Sequence, residues 1–141
     1  MQAIDKAFGT PLFFEVHYKK RLRYAACYRR RSENDKTKWV FSDYFESEWI
    51  DENAPTAAMP ISHNLKSLYH SLIRNLITEG GSRDILLPEL VNSIEKVRRL
   101  ERETDGLLSR IKKEKQFNRK VELNKSLLEK SDKLKILKED N

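Results

Sequence analysis

The sequence predicts an α+β fold: a small antiparallel β-sheet packed against a helix, followed by a C-terminal helical hairpin or coiled coil. Three observations carry this. Apolar residues alternate with a period of two from Leu12 to Tyr18 and again from Leu22 to Tyr28. At Leu65, Leu68, Tyr69, Leu72, Ile73, Leu76 and Ile77 they change to the spacing of one helical face. The last third is so charged that it can bury only a stripe. The organisation expected is a small α+β domain over residues 1–80 and a charged helical extension over 81–141.

Taken in order, Met1 to Phe8 reads as the last turns of a helix stopped by Gly9, so the chain is expected to lack its native N-terminal start. Leu12, Phe14, Val16 and Tyr18 form the apolar side of a first strand, and Leu22, Tyr24, Ala26 and Tyr28 that of a second. A three-residue loop, Lys19-Lys20-Arg21, would place Tyr18 opposite Leu22 and Phe14 opposite Ala26, with both apolar sets on one side. Without Gly, one loop residue must adopt a left-handed conformation at roughly 1 kcal/mol. Arg29 to Lys36 has no apolar residue and reads as a solvated loop, and Thr37 to Tyr44 as a third strand. Such a sheet leaves Phe13, Trp39 and Phe41 poorly covered, so another element or chain is expected over them. Asp51 to Pro60 reads as a linker.

The Leu65–Ile77 helix has Ser62 or Asn64 as its cap and Gly80-Gly81 as its stop, and should cover the sheet. A second helix begins near Pro88, with Leu90, Ile94, Val97, Leu100, Leu107, Leu108 and Ile111 as its seam. Beyond Phe117 the apolar set moves to Val121, Leu123, Leu127, Leu128, Leu134 and Leu137, which requires either a bend into a hairpin or a phase change in one long helix.

The chain has 141 residues and a net charge of +6, unevenly spread. Residues 1–31 carry eight Lys or Arg against Asp5 and Glu15, whereas residues 32–62 carry two bases against seven acids. Basic and acidic stretches of this kind fit either nucleic-acid contact or mutual neutralisation. Cys27 is the single cysteine, so no internal disulfide forms and a reducing compartment is expected. No signal peptide or membrane span is legible, and a cytoplasmic location away from membranes follows as the expectation.

Catalytic signatures are absent. Asp43, Glu46, Glu48, Asp51 and Glu52 are oxygen ligands of the kind Mg²⁺ accepts, but they run into an exposed, proline-containing linker, and electrostatic pairing with Arg29, Arg30 and Arg31 is the expected use. His63 and His70 are two turns apart, not one, which argues against a shared metal. Cys27 would meet His17 only across the hairpin; a packed thiol is the expected state. No Gly-rich phosphate loop exists, and neither a cofactor nor a catalytic or metal-binding residue is expected.

Two surfaces remain. Lys19, Lys20, Arg21, Arg23, Arg29, Arg30 and Arg31 form a basic group able to reach phosphates from two ends of a strand, or to protect a sheet edge from aggregation. In the tail, Gln116, Phe117, Asn118, Val121, Asn124 and Leu128 interrupt a Lys- and Glu-rich helix with side chains that need a partner. Phe117 lies four residues before Val121, and Asn118 and Asn124 suit the setting of register between helices.

Two strings, Thr37-Lys-Trp-Val-Phe-Ser-Asp-Tyr-Phe-Glu-Ser-Glu-Trp49 and Lys113-Glu-Lys-Gln-Phe-Asn-Arg-Lys-Val-Glu-Leu-Asn124, resemble an uncharacterised bacterial family. It is the domain of unknown function numbered forty-three ninety-one. The resemblance runs from about Ile4 and covers the C-terminal portion of members that are longer at the N-terminus. It implies no catalytic residue. Family members often neighbour helicase and methyltransferase genes of restriction type, which implies an accessory role in bacterial DNA restriction or defence. The expected function is thus a non-catalytic accessory or interaction protein that pairs with a protein partner or its own copy through the C-terminal helices. A nucleic-acid-binding module using the basic hairpin is the alternative, and a metal-dependent nuclease fragment the third.

Overall fold

The computed structural model describes residues 1–55, 57–77 and 85–139. Contacts divide the chain into two compact units, Met1–Leu87 and Pro88–Asn141. The first is built from α1 (Gln2–Ala7), strands β1 (Phe13–Tyr18), β2 (Arg21–Arg31), β3 (Trp39–Glu46) and β4 (Ile50–Asp51), and α2 (Leu65–Ile77). All pairings are antiparallel, with β2 central between β1 and the pair β3 and β4. Ile50 and Asp51, expected at the start of a linker, instead pair with Leu22 and Arg21 as the fourth strand.

The hairpin register corrects the three-residue loop. Lys19 and Lys20 both have positive φ, 46° and 60°, so a two-residue loop pairs Tyr18 with Arg21, Val16 with Arg23 and Phe14 with Ala25. Two successive left-handed residues are the signature of a primed turn, whose twist matches that of the strands it joins. As a result the two apolar sets lie on opposite faces. Phe13, Tyr24 and Ala26 share one face, and Phe14, Ala25 and Cys27 the other.

Each face has its own cover. On the Cys27 face lies α1, whose Asp5 is fully buried and accepts hydrogen bonds from Cys27 Sγ at 2.9 Å and Tyr44 Oη at 2.6 Å. On the opposite face lies α2, with His70 against Tyr28 at 5.8 Å between ring centroids. Tyr69 Oη donates to the carbonyls of Leu12 and Cys27, at 3.2 and 2.8 Å. Leu22, Ala25, Ala26, Phe45 and Ile73 complete the core. The α2 start is a reciprocal cap, as Ser67 N–H donates to Asn64 Oδ1 at 2.8 Å and Asn64 N–H to Ser67 Oγ at 3.3 Å. The stop expected at Gly80-Gly81 lies outside the described residues.

Arg29 to Arg31, expected in a solvated loop, extend β2 and pair with Phe41, Val40 and Trp39. Their stems and guanidinium planes do the work of apolar residues. Arg29 lies over the rings of Trp39 and Phe41 at 4.9 and 4.8 Å, and Arg31 over Trp39 at 3.9 Å. The cover missing from Trp39 and Phe41 in the sequence is therefore supplied by arginine. Between Cys27 and Arg29 the β2–β3 register shifts, and Ser42 Oγ accepts the Tyr28 N–H at 2.8 Å.

The second unit is a helical hairpin of α3 (Leu87–Lys113) and α4 (Phe117–Glu139). Pro88 sits in the first turn of α3. The helices run antiparallel, with Glu103 bonded to Lys130 and Glu101 to Lys138, the latter at 2.7 Å. Leu100, Leu107 and Ile111 of α3 are half-buried, as are Leu123, Leu127, Leu134 and Leu137 of α4. Leu108, placed on the seam by spacing, is 42% exposed. No helix among the described residues is long and apolar enough to cross a membrane.

Candidate functional site

The string Lys112–Asn124 is the corner of the hairpin. After α3 ends at Lys113, Glu114 turns its carboxylate onto the next amides, with Oε1 accepting from Lys115 N–H at 2.8 Å and Gln116 N–H at 2.9 Å. These bonds, with Arg119 nearby, hold the Glu114 carboxyl below its ordinary range. Gln116 then opens α4, its carbonyl accepting the Lys120 N–H at 3.0 Å. Glu114 therefore lies in the break between the two helices and acts as a cap.

Within α4 the apolar residues separate into two faces. Leu123, Leu127, Leu134 and Leu137 face α3, whereas Phe117, Val121 and Leu128 are 78%, 52% and 65% exposed. Positions 117, 121, 124 and 128 follow the i, i+4, i+7, i+11 spacing of one stripe. Asn124 is therefore in the middle of the exposed apolar row, where its Nδ2–H donates to Lys120 carbonyl at 2.8 Å and leaves the amide oxygen as an acceptor. Gln116 and Asn118 are exposed at the end of the stripe. The six tail residues singled out in the sequence thus lie together on the outer side of the corner and of α4, with Val121 and Leu128 outside the seam assigned to them.

The family model described as Domain of unknown function (DUF4391) matches residues 1–134. The chain belongs to this family. No curated protein and no solved structure matches it.

In this DUF4391 chain the basic group is divided between the ends of β2. Lys19, Lys20 and Arg21 are exposed at the turn, with Lys19 Nζ 5.2 Å from the Tyr18 ring. Arg23 is engaged with Glu46 at 2.5 Å and stacks on Trp49 at 4.6 Å. Arg29 is buried, its Nη1 donating to the Thr10 carbonyl at 2.5 Å. Arg30 reaches Glu33 at 3.6 Å and Arg31 the Thr37 carbonyl at 3.3 Å. Pairing of Arg29 to Arg31 with the acidic stretch 43–52, weighed from the sequence, is not among these contacts. Arg23 has the only such partner, Glu46, among the ion pairs of the described basic group.

No three His, Cys, Asp or Glu side chains gather for a metal among the described residues. Asp51 instead caps Asn53, accepting its N–H at 2.9 Å. His17 bonds Glu15 at 2.7 Å and lies on the face opposite Cys27, so the two-residue turn separates the Cys–His pair considered above. Burial, reinforced by the Asp5 hydrogen bond, pushes the Cys27 thiol up to about 12, which leaves it protonated and unreactive. The site residues missed by the sequence reading are Asp5, Tyr69 and His70. Asp5 had no legible signal, because the segment that receives it is more than twenty positions away.

Proposed function

We propose that the chain is a non-catalytic accessory protein that assembles with a second copy of itself through the exposed face of α4. The carrying observation is the row Phe117, Val121 and Leu128, left in solvent on a helix whose other apolar side already packs on α3. A two-fold contact needs one patch that meets its own copy, and this row supplies such a patch within a single helix. Asn124, in the middle of the row, provides the polar contact that fixes register when helices pair. The resemblance to restriction-linked family members supports a place for the assembly in bacterial DNA restriction or defence.

Light scattering across a concentration series tests this reading. It predicts a mass approaching twice the 16.7 kDa of the chain. A folded monomer at every concentration would redirect the stripe to a different protein partner.

A second reading has its own observation. Lys19, Lys20 and Arg21 are adjacent, exposed and in no ion pair among the described residues, so the hairpin tip offers three cations to phosphates. Binding of duplex DNA by the tip predicts that Lys19→Ala with Lys20→Ala lowers the salt slope by about 0.9 per lost contact. An unchanged slope excludes the tip.

A further inference from the structure

Strand β1 pairs with β2 only from Arg21 to Ala26, so the β1-side edge of β2 is open from Cys27 to Arg31. The segment Thr10-Pro11 and helix α2 enclose the space beside that edge, forming a cavity of about 720 Å³. Its size lies in the range that takes a small organic ligand.

Two chemical features define what it fits. Four cations line it, Arg29, Arg30 and Arg31 from the strand and Lys66 from α2, and no acidic side chain does among the described residues. Arg30 alone has an acidic partner, the exposed Glu33. Arg29 is nine-tenths buried, and while its Nη1 holds the Phe8 and Thr10 carbonyls, its Nε is buried without a hydrogen-bond partner. A buried guanidinium donor left without an acceptor is costly. The rest of the lining is mostly apolar and aromatic, with Tyr28, Trp39, Leu68, Tyr69 and Leu72 among its residues. One end of the ligand must therefore be anionic and the other planar and weakly polar.

We propose that this cavity binds a nucleotide, with its phosphate on Arg29, Arg31 and Lys66 and its base against the Tyr28 and Tyr69 side. Planar Arg forks suit phosphate oxygens, and aromatic walls suit any base. The same chemistry is available from a free nucleotide or from a residue of a single strand.

Calorimetric titration of the full chain with AMP, UMP, adenosine, inorganic phosphate and a single-stranded DNA oligonucleotide tests the site. A nucleotide should bind at least about tenfold more tightly than adenosine or phosphate, since each control satisfies half of the cavity. Arg31→Ala and Lys66→Ala should each weaken binding about tenfold through loss of one charged hydrogen bond, with an unchanged circular dichroism spectrum. If Arg31→Ala does not fold, Lys66→Ala carries the test, because that side chain is exposed at the start of α2. Preference for AMP or UMP assigns a free nucleotide, and preference for the oligonucleotide, with the same losses, a single strand. No binding by the folded chain, equal affinity for phosphate alone, or binding retained in the variants would overturn the proposal.

Discussion

The Asp5 carboxylate accepts the Cys27 thiol hydrogen at 2.9 Å, and this bond fastens the first helix to the central strand. The same oxygen, Oδ2, accepts from Tyr44, so one side chain joins α1, β2 and β3. Asp5→Ala removes the buried acceptor that the Cys27 thiol and the Tyr44 hydroxyl share. A loss of about 2–3 kcal/mol is expected in urea unfolding. An unchanged midpoint would mean that α1 does not hold the sheet.

The Cys27 thiol follows from the same contact. Its folded value, about 12, is above the ordinary 9.0. A raised value favours the protonated form in the folded state, so the associated stability is present below pH 9 and is lost as pH rises towards 12. In folded protein at pH 8, a thiol-reactive dye should modify Cys27 only as fast as the chain opens. Rapid labelling under native conditions would contradict this burial.

At the hairpin tip, Lys20 has φ 60°, a conformation that Gly adopts without a Cβ penalty. Lys20→Gly is expected to stabilise the chain by about 1 kcal/mol in denaturant unfolding. Destabilisation would argue for a different turn.

The hairpin corner has a pH signature. The Glu114 carboxyl is held low chiefly by the Gln116 and Lys115 amides, so its cap is present above the ordinary value of 4.5 and is lost as pH falls through the lower folded value. Glu114→Ala should accelerate hydrogen exchange at the Lys115 and Gln116 amides at pH 6, while leaving the middle of α4 protected. Equal exchange in both proteins would remove the cap from the account.

Much of this architecture was legible where the chemistry is local. Asn64 followed by the Leu65–Ile77 period defined α2, Pro88 marked the start of α3, and the shift of apolar positions after Phe117 required a change that the structure resolves as a hairpin. The spacing of Phe117 and Val121 set those two on one face, but Val121 and Leu128 were placed with the seam residues and lie exposed outside it. Register was not legible, because two lysines occupy a turn usually made by Asn or Gly, and the parity of the loop decides which face every side chain takes. Nor was the role of Arg29 to Arg31 legible, since stacking on Trp39 and Phe41 turns residues that look solvated into strand cover. The cavity joins residues from the Thr10 segment, β2, β3 and α2, a juxtaposition that exists only after folding.

Sedimentation equilibrium of the wild-type chain beside Phe117→Ser and Leu128→Ser tests the assembly claim most directly. A wild-type dimer is expected, with both substitutions raising its dissociation constant by at least about tenfold through loss of a buried apolar anchor. A wild-type dimer that both variants retain undiminished would contradict assembly through the exposed face of α4.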